Sequence, residues 1–179
     1  MIGYRHADPR YPFLWEDSSQ PAGRWHGPGE GPVNYFADTP DGAWAEFLRH
    51  EEITDPADLA GVRRALWIVN LGSVMDAVDT RDATRLSAAT LTGGRDSYAD
   101  CQEEARRLRA GGASAIYSFS AALKPGEAAG FHTHDGLRRA ERWDGGVIGL
   151  FGPRPDLVGW QACADGRPNV RQLASVRPF

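Results

Sequence analysis

The run Gly27-Pro28-Gly29-Glu30-Gly31-Pro32 is the most restrictive stretch of this 179-residue chain. Its two prolines remove main-chain donors and its three glycines favour backbone conformations other residues avoid, so neither a helix nor a strand crosses it. The chain must turn there. The flanks, Gly-Arg-Trp-His at 23–26 and Val-Asn-Tyr-Phe-Ala at 33–37, read as short strands, and the whole as a hairpin. The same punctuation recurs throughout, with 21 glycines and 12 prolines. Many short elements joined by turns are expected, and a helical bundle is not.

Between the turns the hydrophobic pattern changes period. Asp38 or Thr39 is a good helix N-cap, Pro40 suits the first turn, and Ala43, Trp44, Phe47 and Leu48 form one apolar stripe. That helix fades before Asp55-Pro56. A strand is expected over 65–69, a short helix over 80–91 and a clearer helix over 97–110, where Tyr98, Cys101, Ala105 and Leu108 share a side and Gly111-Gly112 stops it. Residues 115–120 read as a strand, 124–146 as a loop, and 147–151 as a strand. A final hairpin is expected from 157–164 and 170–176 around Asp165-Gly166. Strands early, helices in the middle and strands late indicate an α+β fold in one domain spanning 1–179, without the alternation of a doubly wound sheet.

The formal net charge of −4 argues against direct nucleic-acid binding, which usually needs a basic surface. All but one of the 20 basic residues are arginine, the better residue for gripping a pyrophosphate with paired hydrogen bonds. The two cysteines, Cys101 and Cys163, lie in unrelated elements, so no disulfide framework or zinc motif is indicated. No signal-like N-terminal stretch or membrane-length apolar run occurs, which gives a cytoplasmic reading. The sequence has no GxGxxG, P-loop or GxSxG motif. His132 and His134 could share one side of a strand, but they lack the carboxylates or the HExxH helix of a metal site, so none is expected.

Five residues could carry chemistry. Arg24 precedes the glycine-rich turn, where it could clamp a phosphate or pyrophosphate, or stand solvated on a hairpin. Tyr35 could stack on an aromatic ligand, or be a half-buried strand residue. Glu46 falls off the apolar stripe of its helix, so periodicity leaves it on the solvated face, within reach of His50. Ser118 and Ser120 face the same side of one strand and could hydrogen-bond a phosphate or ribose, or line a polar face.

The segments Gly23-Arg24-Trp25-His26-Gly27-Pro28-Gly29, Val33-Asn34-Tyr35-Phe36-Ala37 and Ala43-Trp44-Ala45-Glu46 resemble the N-terminal signature of RES domains, named for an Arg, a Glu and a Ser. The resemblance is dense over 23–50 and thinner over 115–151, where Ser120-Ala121 and Val147 to Phe151 fill the family's places. Two positions depart from it: His26 stands where Asn is usual, and Ala122 where Arg commonly follows Ser-Ala.

The resemblance implies an ADP-ribosyltransferase-like mixed sheet with flanking helices. It implies a toxin of a toxin–antitoxin pair that cleaves the nicotinamide–ribose bond of NAD, with phosphate or water as acceptor. NAD would be the substrate and inorganic phosphate a co-substrate, with no permanently bound cofactor. Arg24, Glu46 and Ser120 would be the catalytic set, with Tyr35 and Ser118 completing NAD binding. The expected partner is an antitoxin carrying a helix-turn-helix portion, and a homodimer stays open. Two alternatives remain at this point: a protein mono-ADP-ribosyltransferase on the same scaffold, and a non-catalytic nucleotide- or partner-binding module.

Overall fold

The computed structural model describes all residues apart from 15, 18, 19, 73–76, 84 and the side chain of Ala83. Strands β1 (Ile2–Ala7), β2 (Val33–Ala37), β3 (Arg64–Asn70), β4 (Ala77–Asp79), β5 (Ala115–Phe119), β8 (Gly146–Phe151) and β9 (Val158–Gly166) form one seven-stranded sheet, in the order β4-β5-β8-β2-β1-β3-β9. Among the described residues only β4 and β5 run parallel; every other neighbouring pair is antiparallel. The two-residue strands β6 (Phe131–His132) and β7 (Arg138–Arg139) make a separate small hairpin inside the segment expected to be a loop. Helices α1 (Pro40–His50), α2 (Thr80–Ala83), α3 (Ala88–Thr92) and α4 (Tyr98–Ala110) flank the sheet. The α+β class expected from the sequence is therefore the observed one.

The sheet has a seam. β1 pairs with β3 along all six of its residues, and β2 with β8 along all five, but β1 meets β2 only at Tyr4 opposite Ala37. Beyond that pair the strands part. At the far end of β2 the side-chain amide of Gln20 replaces the missing neighbour. Its Nε2 donates to Val33 O and its Oε1 accepts from Val33 N, each at 2.9 Å, as a peptide group would.

Local chemistry explains the elements. Thr39 Oγ1 accepts from Gly42 N at 3.0 Å and Pro40 begins α1, the expected capping arrangement. The stripe Trp44, Phe47 and Leu48 packs with Leu59 and Val62. Cys101, Ala105 and Leu108 of α4 pack with Trp25, Val33, Leu91 and Ile116 on one sheet face, while Phe36, Val69, Leu71, Ala115, Ile148 and Leu150 form a second cluster.

Four expectations are corrected. Residues 23–26 are not a strand paired with β2: Gly23 and His26 bond each other's main chain, so the segment closes on itself as a turn. The helix expected over 80–91 is two short helices, because Ser87 caps a new one, its side chain accepting from Thr90 N at 3.1 Å; residue 84 lies outside the described residues. The last hairpin is not formed. Val170–Ser175 is a 3₁₀ turn started by a capping box between Asn169 and Gln172, and β9 pairs with β3 instead. Finally, β1 and β4 were not anticipated.

Candidate active site

A cleft of about 1000 Å³ opens along the seam. Its walls come from β1, β2, the segment around 20–26, the Glu46 side of α1, and Arg64, Arg95, Tyr98 and Phe179. Five arginines (Arg5, Arg24, Arg49, Arg64 and Arg95) line it against two carboxylates, Asp8 and Glu46. A chain with net charge −4 thus concentrates positive charge in this cleft, which favours an anionic ligand.

Glu46 lies on the cleft wall, half-buried, not on a solvated face. Helical spacing misplaced it because the sheet seam, not the packed core, lies opposite that side of α1. Ser120 Oγ donates to Glu46 Oε1 at 3.2 Å and accepts from Leu123 N at 3.0 Å. The serine is 1% exposed and follows the last residue of β5, so its hydroxyl is fixed and directed at the carboxylate. Ser118 is equally buried, but its Oγ has no partner among the described residues; neither serine itself lines the cleft, and Ser120 reaches it only through Glu46. The structure thus brings together Glu46 and Ser120 and leaves Ser118 apart. His50, the expected neighbour of Glu46, instead meets the Phe179 ring edge-on at 6.3 Å.

Tyr35 is held at its tip. Its Oη accepts from Trp25 N at 3.0 Å and lies 3.0 Å from His26 Nδ1. His26 Nε2 lies 2.9 Å from Pro21 O, which can only accept, so Nε2 carries the proton and Nδ1 accepts from the Tyr35 hydroxyl. Burial pulls the His26 pKa down, in keeping with a neutral ring, and pushes the Tyr35 phenol up. A side chain at Gly23 would place a Cβ 2.9 Å from Tyr35 Oη, so the glycine before Arg24 makes room for this contact.

Arg24 is 9% exposed and spends its donors on the chain itself. Nη1 reaches Thr90 O at 3.1 Å and Ser97 Oγ at 2.9 Å, Nη2 reaches Gly93 O at 2.6 Å, and the guanidinium rests 4.8 Å from the centre of the Tyr98 ring. Arg49, which the sequence reading missed, grips the same segment from α1. It donates to Gly93 O at 3.0 Å and to Ala121 O, and lies 4.6 Å from the centre of the Phe179 ring. Burial lowers its pKa, and neighbouring Glu46 opposes the shift. The signal available in sequence was its position, one turn beyond Glu46 on the same helix.

The remaining sequence candidates lie elsewhere. His132 and His134 are exposed on and after β6, and His134 Nδ1 lies 3.0 Å from Asp135. Among the described residues no cluster of three or more His, Cys, Asp or Glu could hold a metal, and no helix is long and apolar enough to cross a membrane.

A family model for the RES domain matches residues 3–149. The chain belongs to the RES-domain family. A search of curated proteins finds no match. Among solved structures, the chain is similar to a chain of the crystal structure of the M. tuberculosis MbcT-MbcA toxin-antitoxin complex. The TM-score is 0.59 at 18% identity, over 97% of this chain and 86% of the other. At that identity the likeness establishes the fold: this RES domain shares the mixed sheet and flanking helices of that structure. The matched family region holds β1, β2 and α1, and hence both sides of the seam and Glu46.

Proposed function

We propose that this RES domain cleaves the bond between nicotinamide and ribose in NAD, and that it acts as the toxin of a toxin–antitoxin pair. The observation that carries the reading is Glu46 in the wall of an arginine-lined cleft, held from behind by its hydrogen bond to Ser120. Cleavage breaks the C1–N bond, and its electron pair leaves with nicotinamide, which becomes neutral. The ribose passes through an oxocarbenium-like state, as in glycoside hydrolysis. A carboxylate beside that carbon stabilises the developing positive charge. Glu46 supplies it, and Ser120 fixes which oxygen faces the cleft. An oxygen of inorganic phosphate, or of water with loss of a proton, then bonds to C1.

Tyr35 offers a ring for stacking, held by His26 and Trp25 so that it need not reorganise. Arg24 and Arg49 hold the 90–97 segment and Ala121 around the site. The partner is an antitoxin, as the complex containing the structural relative suggests.

The direct test is incubation of the purified chain with NAD, with and without inorganic phosphate, followed by product analysis. Nicotinamide release dependent on phosphate identifies a phosphorylase, and release without it a glycohydrolase. Labelled protein without a small ADP-ribose product would point to a protein ADP-ribosyltransferase. No loss of NAD in any arm overturns the cleavage reading. Replacing Glu46 by Gln keeps the shape and removes the charge, and is expected to slow nicotinamide release by roughly 10²–10³.

A further inference from the structure

The cleft arginines differ in how many donors they have left. Arg24 and Arg49 are bonded through their terminal nitrogens to main-chain carbonyls of the 90–93 segment, though Arg49 Nε is buried with no partner among the described residues. Arg5 makes one hydrogen bond among the described residues, Nη1 to Asn34 Oδ1, and at 3.4 Å it is long. The rest of its guanidinium lies against the Phe36 ring, 5.8 Å from the centroid. Arg64 Nη2 lies 3.1 Å from His6 Nδ1, while its Nε is buried with no partner among the described residues. A guanidinium can only donate, so His6 Nδ1 accepts and the ring proton sits on Nε2, which has no acceptor among the described residues.

Nearby acids do not answer these donors. Asp8 is held by Arg10 at 2.9 and 3.0 Å, and Glu16 Oε1 accepts from Asn34 Nδ2 and Arg154 N. Burial, reinforced by Arg64, Arg5 and His50, holds the His6 pKa down at about 3, so the ring is neutral and donates from Nε2. A buried donor without an acceptor, such as Arg64 Nε, is costly. Here Arg5, His6 and Arg64 all border the same cleft.

We propose that Arg5, His6 and Arg64 form an anion subsite for a phosphoryl group, and that Arg24 is a positioning residue for the 90–97 segment. The identity of that group rests on the NAD reading: it is either the pyrophosphate of the dinucleotide or the inorganic phosphate acceptor. Both offer the same oxyanion, so the two sources are separated by experiment.

The full chain and its Arg5→Gln, Arg5→Lys and Arg64→Gln variants are titrated by calorimetry with ADP-ribose and, separately, with inorganic phosphate. Charge-assisted hydrogen bonds of this kind make a loss of about tenfold or more in affinity the expected result for each Gln variant, with partial recovery in Arg5→Lys. A loss confined to ADP-ribose places the ligand's pyrophosphate there, and a loss confined to phosphate places the acceptor there. Thermal melts of each variant verify folding, and Arg64→Gln keeps the test open if Arg5→Gln fails to fold. The subsite is overturned if both Gln variants bind both probes as the wild type does, or if the wild type binds neither. A wild type that binds a probe but leaves NAD intact retains the subsite and loses the NAD reading.

Discussion

The two sides of the cleft carry the same residue type to opposite ends. On the α3–α4 side, Arg24 and Arg49 converge on the carbonyl of Gly93 from different elements, one in the Gly23–His26 turn and one on α1. On the β1 side, Arg5 and Arg64 flank a neutral histidine and make no hydrogen bond to a main-chain carbonyl among the described residues. The contrast teaches that an arginine's role follows from its donor account. Once its donors reach main-chain carbonyls it is a tie between segments, whatever a signature motif says of it. With donors left facing a cleft it is, on the proposal above, a ligand group.

Stability measurements give the sharpest way to break this comparison. Arg49→Met should cost about 1–3 kcal/mol in urea unfolding, because it leaves the buried carbonyl of Ala121 without its donor and removes one of the two donors to Gly93 O. Arg5→Met should cost less than about 1 kcal/mol, since it removes one long hydrogen bond and relieves buried charge. Equal losses at the two positions would erase the distinction between tie and ligand group.

A smaller effect concerns pH. His6 in the folded chain protonates only near pH 3, against an ordinary value of 6.5. Between these values the unfolded chain binds more protons than the folded one, so stability falls as pH drops from about 6.5 towards 3. His6→Gln should flatten part of that acid slope in melts recorded from pH 7 to 4, and an unchanged slope would mean that His6 takes up its proton without strain on the fold. Saturating phosphate should shift the same melts upward in the wild type and less in Arg64→Gln.

The helices were the legible part of the sequence. Thr39, Pro40 and the Ala43–Leu48 stripe fix α1 by local rules, and Gly111-Gly112 closes α4. Ser120 could be reached only through the family signature, because strand alternation treats it like Ser118. The tertiary path after Phe119 separates them, turning Ser120 onto Glu46. β1 was illegible for a related reason. Gly-Tyr-Arg-His carries polar groups where a strand beside the sheet's centre usually carries apolar ones, and their placement there makes sense only once a cleft is known to open beside it. The residues 23–26 misled in the other direction: strand-like composition gave way to a turn held by the Tyr35 hydroxyl, a contact between residues ten apart that no local pattern encodes.

The seam is pinned at both ends, by Tyr4 against Ala37 and by Gln20 against Val33. Between those pins the opening is four residue steps long, about 13 Å at the usual strand rise. Side chains along β2 alternate in direction, so one residue added or removed between the pins would turn Tyr35 away from the cleft and bring a core residue into its place. The aperture can therefore be resized only in increments of two residues, a parity rule that constrains deletions and grafted loops here far more tightly than it does elsewhere on the surface.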